Sequence, residues 1–271
     1  MRNTFKLGFW MIVIYLATLQ EVVVTQAIAW ANYRDTIGSV KGWASMRWFI
    51  NYYKMITPLV VLDLMAYFEA WSPTAWIYFA AHSAYCVLWL VKDHKWPHSS
   101  FSGLMLNWQG LAGLWFSVLG AFWVCPTLLM AGHIEVPLWW AALCGGMTIV
   151  GGAITYVADG YKADQVAIAR ARGETHPLIT TGLWQHILHP NYTGEIVTYT
   201  SLSAFPLPWV FIATDWRWQI AAIVPLVIMV QVFWNAMFPN ICRINQHMLE
   251  TRGERWVQHT QKAWQVLPYI W

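Results

Sequence analysis

A chain of 271 residues that is 58% hydrophobic and 11% charged, with a net charge of +3 and a mean hydropathy of +0.41, excludes most soluble architectures. Soluble domains carry about 25% charged residues, and so little charge rules out a disordered chain, a coiled coil and a nucleic-acid-binding surface. A bilayer helix needs about 20 apolar residues. The expected fold class is therefore all-α integral membrane, with about seven transmembrane helices, the N-terminus outside and an amphipathic C-terminal tail in the cytoplasm.

In chain order, the first apolar run covers about 7–30. It follows Arg2 and Lys6, contains Glu21 and lacks a small-residue cleavage site, so it reads as a retained helix. Further runs cover about 55–71, 74–91, 108–130, 137–158, 190–207 and 218–238. Short turns near Ser72-Pro73 and His133–Pro137 carry no Lys or Arg, longer polar connections fill 31–54, 92–107 and 159–182, and a polar tail covers 239–271. Gly145-Gly146 and Gly151-Gly152 in the fifth run predict close helix packing. Cys86, Cys125, Cys144 and Cys242 have neither disulfide nor metal spacing and read as small core residues. Trp30, Trp71, Trp76, Trp96, Trp139, Trp140 and Trp218 fall at the ends of runs, where indole rings favour the headgroup layer.

The three polar connections and the tail carry 13 Lys and Arg, with Lys54 and Lys92 among them, against 3 at Arg2, Lys6 and Arg217. The positive-inside rule puts the larger group in the cytoplasm. A bacterial inner membrane and an endoplasmic reticulum membrane both satisfy this pattern.

Polar residues concentrate in the last 115 positions, on the cytoplasmic side. Asp159-Gly160-Tyr161-Lys162-Ala163-Asp164 follows the fifth run, then Arg170 and Arg172, then Thr180-Thr181-Gly182-Leu183-Trp184. His189-Pro190-Asn191-Tyr192-Thr193-Gly194-Glu195 opens the sixth run, with Pro190 suited to a first helical position. Helical spacing places Asn191, Glu195 and Thr198 on one face, with Tyr192 and Tyr199 beside them. A carboxylate entering a bilayer helix costs a few kcal/mol unless it is paired or faces a wet cavity, so Glu195 is a site candidate on physical grounds. The alternative is a buried Glu that fixes one helix to another. In the tail, Asn240, Arg243, His247, Glu250 and Glu254 form one polar stripe, either a roof over a pocket or the solvated face of an interfacial helix.

The ordered set Gly182-Leu183-Trp184, His189-Pro190-Asn191-Tyr192-Thr193-Gly194-Glu195 and Leu267-Pro268-Tyr269-Ile270-Trp271 resembles the steroid 5-alpha-reductase C-terminal and sterol reductase group. Isoprenylcysteine carboxyl methyltransferases are more distant relatives with a similar core. The resemblance covers about 141–271 and implies a cofactor-binding membrane core there, with 1–140 forming the substrate side. It implies NADPH, held by Asp159, Asn191, Tyr192 and Glu195, with His189 in the motif and His247 reaching in from the tail. Lys162, Arg170, Arg172 and Arg243 can meet phosphates by charge-assisted hydrogen bonds. The implied reaction is hydride transfer to a carbon–carbon double bond of a sterol-like or isoprenoid lipid, with Glu195, Tyr192 and Tyr199 as catalytic candidates. Leu188 stands where the group often has Arg, and Asn245-Gln246 stand near where methyltransferases carry paired glutamates.

Alternatives remain. An S-adenosylmethionine-dependent membrane methyltransferase uses the same core, and a non-catalytic subunit of a membrane complex could keep it. His94 with His98, and His186 with His189, have spacings that prompt a di-iron reading, but nine scattered histidines do not supply enough converging imidazoles, so no metal is expected. Gln20-Glu21 matches poorly a Gln-Glu pair of steroid reductases. Asp63 and His82, on neighbouring runs, are a candidate buried pair. The expected partners are membrane lipids and a hydrophobic lipid substrate, not nucleic acid.

Overall fold

The computed structural model describes residues 44–97, 105–106 and 120–268. The first apolar run, Gln20-Glu21, much of the fourth run and the last three residues lie outside the described residues.

The described chain is all-helical apart from a two-residue antiparallel pair, β1 (Ala44–Ser45) against β2 (Met105–Leu106), with Ala44 opposite Leu106. The main helices are α1 (Met46–Tyr67), α2 (Pro73–Lys95), α3 (Val124–Ala131), α4 (Leu138–Ala171), α5 (Pro190–Ser203), α6 (Trp209–Ile212), α7 (Trp216–Val232), α8 (Phe238–Arg252) and α9 (Glu254–Thr260). Among them α2 and α4 are long and apolar enough to cross a membrane. Large apolar side chains also point outward from helices that fail that test, among them Trp48 and Leu59 on α1 and Ile220 and Val230 on α7.

Contacts sort the connections into two ends. Glu69 and Ser72, from the α1–α2 turn, line one recess with His133 and Glu135, from the α3–α4 turn. Trp209 Nε1 donates to Glu135 O at 2.6 Å and brings the α5–α7 connection to the same end. At the opposite end, the start of α1 meets the end of α2 through the Arg47–Asp93 ion pair at 2.6 Å. There too, Trp96 Nε1 donates to Asp164 Oδ1 at 2.9 Å and Arg252 Nε to Pro177 O at 3.1 Å.

Helix boundaries differ from the sequence expectation in an instructive way. Residues 159–171, expected as a polar connection, continue α4 for three further turns. Alanines and straight-chain Lys, Gln and Arg are good helix formers, and the helix stops only before Gly173, at φ +87. The result is 34 residues, about 51 Å at 1.5 Å per residue, which exceeds a hydrocarbon core of about 30 Å. At α7, one π-turn (Phe233–Met237) leads directly into the amphipathic α8. Pro239 donates no backbone N–H, and the wider turn absorbs the break in the hydrogen-bond ladder.

The α4–α5 crossing is the closest helix contact relevant to the site. A Cβ on Gly151 would lie 2.6 Å from Gly194 O, and one on Gly194 would lie 2.5 Å from Gly151 O. Thr155 Oγ1 donates across the seam to Asn191 O at 3.2 Å. Glycines that let backbones touch, with hydroxyls bonding across, fit the rule for helix pairs with no hydrophobic force between them.

Candidate functional site

The start of α5 is fixed from two sides. Pro190 occupies the first helical turn, and the segment before it is bridged to the end of the chain: Leu188 N donates to Trp264 O at 2.7 Å, His189 N to Gln265 O at 3.1 Å, and Trp264 N to His186 O at 2.9 Å. Thr193 Oγ1 donates to Val266 O at 2.5 Å. The C-terminal stretch thus lies against the His-Pro-Asn-Tyr segment.

His189 belongs to this clasp. Its Nε2 lies 2.7 Å from Asn245 Oδ1, and Asn245 Nδ2 donates to Gln265 Oε1 at 3.0 Å. Burial pushes the imidazole down to about 4 from 6.5, so it is neutral at physiological pH, with Nε2 carrying the proton that Asn245 accepts. A ring nitrogen so occupied fixes the tail.

Deeper along α5 lies a set of polar groups among apolar helices. Lys92, 2% exposed on α2, pairs with Asp159 Oδ2 on α4 at 2.7 Å, and its ammonium lies 3.8 Å from the centre of the Trp89 ring. Glu195 is half-buried and sits within electrostatic range of Lys92, Asp159 and Lys54, with no hydrogen bond or ion pair of its own among the described residues. Asn191 Oδ1 is buried with no hydrogen-bond partner. Tyr192 accepts from Asn240 Nδ2 on α8, and Arg243 donates to Asn240 Oδ1 at 2.6 Å. On α4, Lys162 is exposed, with its ammonium 4.8 Å over the Trp184 ring, and partial desolvation there lowers its pKa.

One turn beyond Glu195, about 6 Å along the helix, comes Tyr199, 7% exposed. Lys54 Nζ, from α1, donates to its oxygen at 2.5 Å and the Tyr85 hydroxyl, from α2, donates to it at 3.1 Å. The ring is stacked on Phe122 at 3.8 Å and 12°.

Of the residues predicted from sequence, the fold gathers Asp159, Lys162, Asn191, Tyr192, Glu195 and Arg243 around the start of α5, with Tyr199 below them. Arg170 and Arg172 are exposed at the far end of α4, about 16–20 Å beyond Asp159. His247 is exposed on α8, one turn past Arg243. Asp63 and His82 do not pair: Asp63 is exposed, and both ring nitrogens of the buried His82 lack a hydrogen-bond partner. Among the described residues, no group of three or more His, Cys, Asp and Glu could hold a metal ion.

Sequence reasoning missed Lys54, Lys92 and Tyr85. Hydropathy alone puts the two lysines among the cytoplasmic loop charges, yet both are 2% exposed on helices. The available signal was that each lies at the edge of an apolar run, where an aliphatic stem can enter the packed interior.

The residues now located fall almost wholly within one known family. Residues 75–259, or 185 of 271, match a family described as "Protein of unknown function (DUF1295)". No functionally curated protein matches the chain. With more than half its length matched, from the start of α2 to the end of α9, the chain belongs to the DUF1295 family, within the steroid 5-alpha-reductase-like superfamily.

Proposed function

We propose that this protein is a membrane-embedded reductase that transfers a hydride from NADPH to a carbon–carbon double bond of a sterol-like or isoprenoid lipid, with the cofactor entering from the cytoplasm. The observation that carries this reading is the pair of unsatisfied acceptors at the start of α5. Asn191 Oδ1 is a buried acceptor with no donor, and the half-buried Glu195, one turn on, has no hydrogen-bond or ion-pair partner among the described residues. Native proteins satisfy such groups, and an exception needs a ligand or a water. A carboxamide N–H₂ and ribose hydroxyls are donors of the kind required. Arg243 on α8 and Lys162 on α4 would meet the phosphates.

When bound, NADPH supplies the hydride; the chain supplies orientation and a proton. Asn191 and Glu195 would hold the nicotinamide end. Tyr199, about one turn deeper along α5, would give the proton. The surrounding apolar helices keep bulk water from the reacting atoms.

The test is label transfer. The pure protein in lipid nanodiscs, given NADPH deuterated at the transferring position and a membrane lipid extract, is expected to place deuterium in a lipid product. A thermal shift with NADPH that exceeds the shift with S-adenosylhomocysteine is expected alongside. No label in any lipid, with stabilisation by S-adenosylhomocysteine alone, would overturn the reductase reading in favour of a methyltransferase.

A further inference from the structure

Lys54 has an unusual set of neighbours. It is 2% exposed, and among the described residues no carboxylate lies within ion-pair distance of its ammonium. Its surroundings are aromatic: the Tyr85 ring centre lies 4.3 Å away, Tyr199 5.1 Å, Trp89 5.3 Å and Tyr53 5.6 Å. Cation–π contacts of this kind offset part of the desolvation cost, and the ammonium gives one of its three protons to the Tyr199 phenol oxygen at 2.5 Å.

Donor counting at that oxygen is decisive. A phenol oxygen has two acceptor positions and one proton. Lys54 and Tyr85 both donate to Tyr199, so they fill the acceptor positions and leave the Tyr199 proton as the one to be given. Stacking on Phe122 fixes the ring plane. Tyr199 is therefore oriented as a donor by α1, α2 and the Phe122 ring before any ligand arrives.

We infer that Lys54 is a positioning residue that, through Tyr199, makes this phenol the proton source of the reaction. The inference rests on the reductase reading above. In the step, the Tyr199 O–H bond breaks and its proton forms a C–H bond on the substrate carbon next to the one that takes the hydride from NADPH. The phenolate left behind is held by the Lys54 ammonium and the Tyr85 hydroxyl until a proton from the aqueous phase restores it. Preorganised donors aimed at a developing anion are the usual means by which a site stabilises it.

Two measurements test this together. Infrared difference spectra of ¹³C-tyrosine-labelled protein against Tyr199→Phe isolate the Tyr199 C–O stretch. Lys54→Met and Tyr85→Phe are each expected to shift that band, and Lys54→Arg to leave it near its place; a band unmoved by Lys54→Met overturns the contact. In the deuterium-transfer assay, Lys54→Met is expected to lower the rate about 100-fold with NADPH affinity kept, and Lys54→Arg to restore part of it. A Lys54→Met protein that transfers label within twofold of the parent overturns the inference while leaving the reductase reading intact. A parent protein that transfers no label removes the reading, and the inference falls with it. Should Lys54→Met fail to fold, Tyr85→Phe and Lys54→Arg carry the same comparison.

Discussion

Under the proposed function, Asn191 would separate a cofactor contact from a structural one. Its backbone carbonyl is used by Thr155, but its side-chain oxygen satisfies nothing. Truncating a group that makes no bond removes a desolvation penalty rather than a contact. Asn191→Ala is therefore expected to leave thermal stability unchanged or slightly raised while weakening NADPH binding about tenfold; equal NADPH binding would show that this oxygen meets no ligand. His189 behaves oppositely, because it is spent on the tail clasp. Its folded pKa of about 4 lies below its ordinary 6.5, so the unfolded chain binds the proton more tightly. The associated stability is fully present above about pH 6.5 and is lost as pH falls toward 4, by up to about 3 kcal/mol. Thermal unfolding from pH 7 to 5 is expected to show a slope that His189→Asn reduces. His259, lowered by burial in the same direction, leaves a residual slope. An unchanged slope in His189→Asn would show that the ring is not buried in the clasp.

Between helices, the α4–α5 seam sets where Asn191 and Glu195 face. Gly151 and Gly194 each sit where a methyl group would meet the other's carbonyl, whereas a methyl at Gly146 would meet nothing within 4 Å. Gly151→Ala or Gly194→Ala is expected to cost about 1–3 kcal/mol or more. Gly146→Ala should be neutral or gain up to about 1 kcal/mol of helix propensity; equal effects at all three, measured by thermal unfolding, would mean the seam is not this tight. The Gly151-Gly152 pair announced close packing in the sequence, but not its partner, since a second small residue on α5 is visible only as Gly194 inside a motif read for chemistry. The lower site was illegible for a related reason. Hydropathy ends a helix where charge begins, so it places Lys54 and Lys92 in loops. In the fold, Trp89, Tyr85 and Asp159 supply ring faces and a carboxylate that let both ammonium groups stay inside. A pattern along the sequence cannot report that Lys92 meets Asp159, 67 residues away, or that Lys54 meets Tyr199, 145 residues away.

For the molecule as a whole, reassigning the two lysines tests the orientation argument. Removing Lys54 and Lys92 from the 13 charges leaves 11 against 3, so the bias that places the larger group in the cytoplasm survives. The recess of Glu69, Ser72, His133 and Glu135 at one end contains no Lys or Arg, while Arg47, Arg252 and Lys162 lie toward the other end. The native cysteines report on this directly. Cys86, Cys125 and Cys144 are buried, and Cys242 is exposed on α8, beside Arg243. A membrane-impermeant maleimide is expected to label one site, Cys242, in inside-out vesicles and to leave right-side-out vesicles unlabelled, with Cys242→Ser abolishing the signal. Labelling from the outer face would invert the molecule. It would then put Asn191, Glu195 and Arg243 on the side of the membrane where no NADPH is found, so one chemical modification tests both the topology and the cofactor route.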